Sequence, residues 1–165
     1  MEKRILILDQ ESISRKLDRM AYQVWENNSR ETELSFVGIE GIGITVAKEL
    51  AGRQQKISPL KVGVHPLKMN KRQPLKDAIE FNEQLSGKSV ILIDDVANSG
   101  KTLLYAMKPL LDQEPKKIQI AVLVDRKHKS FPVSPDIVGH SVATTLQEHI
   151  EVVSDGVLIT GAYLQ

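Results

Sequence analysis

The stretch Val90-Ile91-Leu92-Ile93-Asp94-Asp95-Val96-Ala97-Asn98-Ser99-Gly100-Lys101-Thr102 runs from an apolar strand into paired acids and then a Ser-Gly-Lys-Thr turn. Four consecutive aliphatic residues predict a buried strand, and the small polar residues after the acids predict a tight turn that opens a helix. Such a turn offers one phosphate several backbone N–H groups, two hydroxyls, a lysine and the positive end of a helix. The two carboxylates before it accept hydrogen bonds, which the vicinal hydroxyls of a ribose can donate. A sugar phosphate therefore matches both ends of the stretch.

A nucleoside triphosphate loop is the competing motif, because Gly100-Lys101-Thr102 matches the end of that pattern. That loop needs a glycine five residues before Gly100 so that the chain can wrap the phosphates, and the position holds Asp95, whose charge repels polyphosphate. An acid pair, a polar turn and a helix cap also occur in α/β proteins that bind nothing there. The ordered run of strand, acids, small residues and Gly-Lys-Thr favours the binding motif.

The chain of 165 residues suits one core, so a single domain over residues 1–165 is expected. Its net charge of +1 argues against wholesale attraction to nucleic acid or to an anionic membrane, leaving only a local basic patch for such a role. Cysteine is absent, which removes disulfides, thiolate metal sites and a cysteine nucleophile. The apolar run near the start is too short for a signal peptide, and no later run spans a bilayer. These features predict a cytoplasmic protein without a membrane partner.

Asp9 is a predicted cap for a helix in which Ile13, Leu17, Met20, Ala21, Val24 and Trp25 recur at helical spacing, ending near residues 27–28. Residues 34–38 read as a short buried strand, 38–43 as a glycine turn and 44–54 as a helix with Val46, Ala47 and Leu50 inward. A second strand is predicted over 60–65 and a polar loop over 66–76, while 77–85 fit a strand or a helical turn equally. Leu103, Leu104, Met107 and Leu110 predict a helix, and residues 118–124 another strand. Short extended pieces are expected near 137–138, 150–153 and 157–159. The alternation implies an α/β fold, a central mainly parallel sheet with helices on its faces, whose ligand lies beyond the carboxyl ends of the strands.

Three further segments fit more than one role. Ile39, Glu40, Gly41, Ile42 and Gly43 follow a strand and open a helix, so their amides suit an anion, though a simple tight turn has the same composition. Lys68, Lys71 and Arg72 lie in a run without an acid until Asp77; the run fits a mobile hood over pyrophosphate, contact with RNA phosphates, or a solvated loop. Val124, Asp125 and Arg126 end a strand in a charged cluster that suits an acceptor pocket or a plain charged turn. His65, His140 and His149 lack metal-ligand spacing and read as surface or satisfied histidines.

The stretch from Val90 to Thr102 resembles the phosphoribosyl pyrophosphate signature of the type I phosphoribosyltransferases. The resemblance implies that Asp94 and Asp95 hold the ribose hydroxyls. It also implies that Ala97, Asn98, Ser99, Gly100, Lys101 and Thr102 seat the 5-phosphate, and that a flexible hood covers the site. Leu8-Asp9-Gln10-Glu11, Val37-Gly38-Ile39 with Gly43, and Leu123-Val124-Asp125-Arg126-Lys127-His128 followed by Pro132, Asp136 and Val138-Gly139 are similar to the bacterial pyrimidine operon regulator family, PyrR. Members of that family combine RNA-binding attenuation with uracil phosphoribosyltransferase activity.

By resemblance, the expected substrates are phosphoribosyl pyrophosphate and a nucleobase, uracil first, with a nucleoside monophosphate as product. Mg²⁺ would be carried by the substrate without direct protein ligands, an mRNA leader is a candidate partner, and a homo-oligomer, dimer or higher, is expected. A nucleotide-sensing regulator with little turnover, and a transferase with a purine or other acceptor, are the alternatives. The family's pyrophosphate turn carries a lysine and an arginine where this chain has Glu40 and Ile42, which puts catalysis in question.

Overall fold

The protein was analysed as a computed structural model that describes residues 3–145 and 147–165. The chain runs β1 (Ile5–Asp9), α1 (Gln10–Asn27), β2 (Glu33–Ile39), α2 (Ile42–Ile57), β3 (Lys61–Leu67), β4 (Ser89–Ala97), α3 (Lys101–Leu111), β5 (Lys117–Arg126), β6 (Ile137–Val142), β7 (Ile150–Ser154) and β8 (Ile159–Leu164). Five strands form a parallel sheet in the order β3-β2-β4-β5-β6. The others form an antiparallel sheet in the order β1-β8-β7.

Period-two alternation sorts the parallel strands between two cores. Phe36, Ile91, Ile93, Ala121 and Leu123 pack with Ile13, Leu17 and Met20 of α1 and Val46 and Leu50 of α2. Val37, Val90, Leu92, Ile120 and Val122 point to the opposite face and pack with Leu103, Ala106 and Leu110 of α3. Each such side chain contributes roughly 1.5–3 kcal/mol on full burial, so both faces of the sheet are closed by helices.

Helix α1 starts where expected, since the Asp9 carboxylate accepts the Ser12 N–H at 2.8 Å. It ends where Asn28 turns back, its side-chain amide donating to the Val24 carbonyl at 2.8 Å. Helix α2 begins two residues earlier than the spacing predicts and runs to Ile57. Gly41, at φ 99°, makes the sharp turn that lets Ile42 already be helical. Arg53 of α2 reaches Asp18 at 2.7 Å and Ser14 at 3.0 Å on α1, while Glu49 accepts the Ile159 N–H at 3.1 Å. One turn of α2 thereby ties α1 and β8 together.

Two sequence expectations are corrected. Residues 157–158 are not extended: the Asp155 carboxylate accepts the N–H groups of both Val157 and Leu158 at 2.8 Å, closing a turn, and β8 starts only at Ile159. Residues 77–85 are neither strand nor helix, apart from an antiparallel bridge between Lys68 and Glu80. Strand β1, whose apolar run Ile5-Leu6-Ile7-Leu8 is not among the strands expected from sequence, pairs with β8 at the far end of the chain.

The fold sets the position of the site through its winding. From β2 the chain moves outward to β3, returns to β4 and then moves the other way to β5 and β6, so the sheet changes direction between β2 and β4. A crevice opens at such a point, beyond the carboxyl ends of the strands. No helix among the described residues is long and apolar enough to cross a membrane.

Candidate active site

The floor of the crevice is the end of β4. Asp94 and Asp95 lie inside the strand, not after it, and are only 2% and 8% exposed. Burial of two adjacent carboxylates is unfavourable, and burial first, then the neighbouring Asp95 charge, pushes the Asp94 carboxyl well above the ordinary aspartate range. The Lys71 ammonium opposes this from 3.3 Å, and the Asp95 N–H donates to Asp94 Oδ1 at 2.9 Å.

The helix above leaves no spare room. A Cβ on Gly38 would lie 2.9 Å from the Ile44 Cα, so α2 rests directly on β2. A Cβ on Gly43 would lie 2.9 Å from Asp94 Oδ1 and 3.2 Å from the Ile93 carbonyl oxygen. The first turn of α2 is therefore pressed against the buried carboxylate.

Beyond β4 the chain makes the turn into α3. Gly100 adopts φ 84° and no side chain caps the helix, so the N–H groups of its first turn, Thr102 and Leu103 among them, point outward without a capping side chain. The Lys101 N–H is taken by the Ser99 hydroxyl at 3.2 Å. The Ser99 carbonyl accepts the N–H groups of Ser130 and Phe131, both at 3.1 Å, which braces the turn against the chain after β5. Asn98 turns its amide away from the seat and exchanges two hydrogen bonds with the Ile150 backbone, at 3.1 and 3.2 Å.

Acids and turn share one cleft of about 470 Å³, lined by Asp94, Asp95, Ala97, Asn98, Ser99, Gly100 and Thr102. Ile42, Lys71 and Arg72 line it as well, and so does β7 with the residue before it, His149, Ile150, Glu151 and Val152. The structure thus brings together both acids, five of the six predicted turn residues, Ile42, and two of the three hood cations. Lys101 instead faces the adjoining depression beside Arg72 and Tyr105. Glu40 faces another depression with Lys68 and Asn70, outside the cleft. Gly43 contacts Asp94 from above, while Ile39 is buried beneath α3's side of the sheet and Gly41 is exposed.

Val124, Asp125 and Arg126 do not line the cleft. Val124 is fully buried, Asp125 pairs with Lys129 at 2.7 Å, and Arg126 donates to the Thr145 carbonyl at 3.0 Å. Their strand lies beside the turn, with Ala97 opposite Asp125. The wall that sequence reasoning missed is β7, including His149, which reads from sequence as a surface histidine. No local pattern marks it, because its place in the cleft depends on β7 pairing with β8.

Among the described residues, no group of three or more His, Cys, Asp or Glu side chains is arranged to hold a metal ion. The cleft's paired hard oxygen donors fit Mg²⁺ carried on a polyoxygenated substrate better than a metal held by the protein alone.

Residues 6–154 match the phosphoribosyl transferase domain family. The bifunctional protein PyrR of Brevibacillus brevis is 36% identical over 162 residues, covering 92% of this chain and 90% of the relative. The bifunctional protein PyrR of Latilactobacillus sakei is 37% identical over 158 residues, covering 88% of each. Among solved structures, the hypoxanthine phosphoribosyltransferase of Trypanosoma cruzi matches with a TM-score of 0.78 over 95% of both chains at 13% identity. A hypoxanthine-guanine phosphoribosyltransferase from Bacillus anthracis matches with a TM-score of 0.71, covering 87% of this chain and 85% of its own, at 17% identity. Such identities bear on the fold alone, whereas the family match spans most of the chain. With its acid pair, its braced turn after β4 and its parallel sheet, the chain belongs to the phosphoribosyl transferase domain family, type I, and is similar to the PyrR proteins.

Proposed function

We propose that the protein transfers the 5-phosphoribosyl group of phosphoribosyl pyrophosphate to a ring nitrogen of uracil, releasing pyrophosphate. The carrying observation is the cleft itself: a buried acid pair at one end and the first turn of α3 at the other, within about 470 Å³. Asp94 and Asp95 accept hydrogen bonds from the ribose hydroxyls, and the amides near Ser99 to Thr102 take the 5-phosphate, with Ser99 and Thr102 adding hydroxyls. As the bond from C1 to the pyrophosphate oxygen breaks, positive charge develops on the ribose ring. The base nitrogen then forms its bond to C1 and gives up its proton to the departing pyrophosphate.

The two carboxylates favour that charge and hold the ring in place, an effect that grows in a site screened from water. Mg²⁺, held through the substrate above Asp94 and Asp95, would neutralise charge on the departing pyrophosphate. Lys71 and Arg72, the lysine and arginine that line the cleft among the described residues, supply the cations that Glu40 and Ile42 do not. The base rests against Ile150 and Val152, with the segment of Val124, Asp125 and Arg126 supporting the turn from behind. Uracil is favoured by the similarity to the PyrR relatives. A cytoplasmic location and a homo-oligomer accompany this reading.

One observation supports a second reading, a regulator that senses a nucleotide and binds an mRNA leader with little turnover: apolar Ile42 lines the cleft where the family carries an arginine. Incubation with Mg²⁺, phosphoribosyl pyrophosphate and each base in turn separates the two. Uracil-dependent pyrophosphate release, lost in the Asp94→Asn, Asp95→Asn double variant, supports the enzyme. No release with any base, together with salt-sensitive binding to a pyrimidine-operon leader RNA, supports the regulator.

A further inference from the structure

We propose that Asn98 is a positioning residue: through Ile150 it locks the β7 wall of the cleft to the phosphate turn, so that filling the phosphate seat fixes the surface against which the acceptor base rests. The proposal rests on the assignment of that seat given above.

His149 and Gln165 exchange both backbone hydrogen bonds, at 3.0 and 2.9 Å, so that pair faces β8. In an antiparallel pair the next residue turns its N–H and C=O to the other edge, and Ile150 does so. The slot that a neighbouring strand would fill is occupied instead by one side chain. Asn98 Nδ2 donates to the Ile150 carbonyl at 3.1 Å, and the Ile150 N–H donates to Asn98 Oδ1 at 3.2 Å.

An amide carries a donor and an acceptor on two adjacent atoms, as a strand residue does; an aliphatic side chain offers neither, and a hydroxyl has one oxygen for both tasks. Among the described residues the antiparallel sheet has no strand pairing with the parallel sheet, so this reciprocal pair is a hydrogen-bonded bridge between the two at the cleft. On its other side the turn is braced by Ser130 and Phe131. Coupling of this kind is reciprocal: a ligand that orders the turn orders the wall, and a ligand on the wall favours the ordered turn.

The test titrates ribose 5-phosphate into the full chain and follows the hydrogen-exchange protection factor of the Ile150 amide. The wild type should gain at least tenfold protection on binding, and Asn98→Ala should show no gain while still binding ribose 5-phosphate. In steady-state assays Asn98→Ala should raise KM for the base at least tenfold and KM for phosphoribosyl pyrophosphate less than threefold. Asn98→Asp guards against simple misfolding. Its protonated carboxyl donates and accepts as the amide does, so its Ile150 response should be present at low pH and vanish as that carboxyl ionises, with the wild-type response present throughout. Binding of ribose 5-phosphate to the wild type without a change at Ile150, or an equal rise in both KM values, overturns the proposal. Failure of ribose 5-phosphate to bind the wild type at all overturns the seat assignment and the proposal together.

Discussion

Two neighbouring turns of this fold use the same backbone device for different ends. The turn after β2 and the turn after β4 each place a glycine at positive φ, Gly41 at 99° and Gly100 at 84°, and each opens a helix that no side chain caps. Near Gly100 the small or hydroxylic side chains of Ala97, Ser99 and Thr102 line the cleft, and the turn is braced from two directions. At Gly41 the flanking residues are Glu40, facing away beside Lys68, and Ile42, facing in. A strand-turn-helix unit thus supplies N–H groups for an anion, but the flanking side chains decide whether an anion is welcome.

The largest expected effect breaks the comparison at its floor. Asp94→Asn with Asp95→Asn should lower uracil phosphoribosyltransfer by about a thousandfold or more, read as pyrophosphate release, since charge stabilisation of this kind contributes about 10²–10³ per group. Next in size, Gly100→Ala forces a left-handed residue and brings a Cβ to 3.3 Å from the Phe131 carbonyl oxygen. It should lose roughly 1–2 kcal/mol of stability in denaturant unfolding and at least tenfold in ribose 5-phosphate affinity by calorimetry. Gly41→Ala also forces a side chain onto a positive-φ backbone, at φ 99° and ψ −136°, but with open space around its Cβ, and should change that affinity less than threefold. Equal losses at the two glycines would erase the distinction between the turns.

A third experiment sharpens the contrast by converting one turn. Glu40→Lys with Ile42→Arg restores two cations to the weaker turn, and should raise pyrophosphate affinity several-fold with a steeper salt dependence. The smallest effect is thermodynamic. Because the Asp94 carboxyl titrates well above the ordinary range in the folded protein, the folded chain binds more protons than the unfolded chain across that window. Stability therefore falls as pH rises from the unfolded carboxyl's pKa towards the folded one, and the lost part stays lost at neutral pH. Asp94→Asn lacks this slope and should melt a few degrees above the wild type at pH 7, at about 2–4 °C per kcal/mol for a chain of this size.

What the sequence showed was local. The run from Val90 to Thr102 carries strand, acids and turn within thirteen consecutive positions, and Asp9 with its spaced apolar residues marks α1 just as directly. What it concealed was pairing across distance. Strand β1 exists because Ile5 meets Leu164, and the His149 to Val152 wall enters the cleft because β7 is held by β8 and by Asn98. Lys71 is one of several basic residues in a polar loop, and nothing nearby signals that it, and not Lys68, reaches Asp94. The charged cluster at the end of β5 suits an acceptor pocket or a plain charged turn by sequence, and in the fold Asp125 and Arg126 are engaged with Lys129 and Thr145.

The assignment of the cleft as a ribose phosphate site is tested most directly by a crystal structure with uridine monophosphate. The account predicts the phosphate on the N–H groups between Ser99 and Thr102 and the ribose hydroxyls on Asp94 and Asp95. A nucleotide seated elsewhere, such as the groove beside Arg53 and Lys56, with this cleft unfilled, would contradict it.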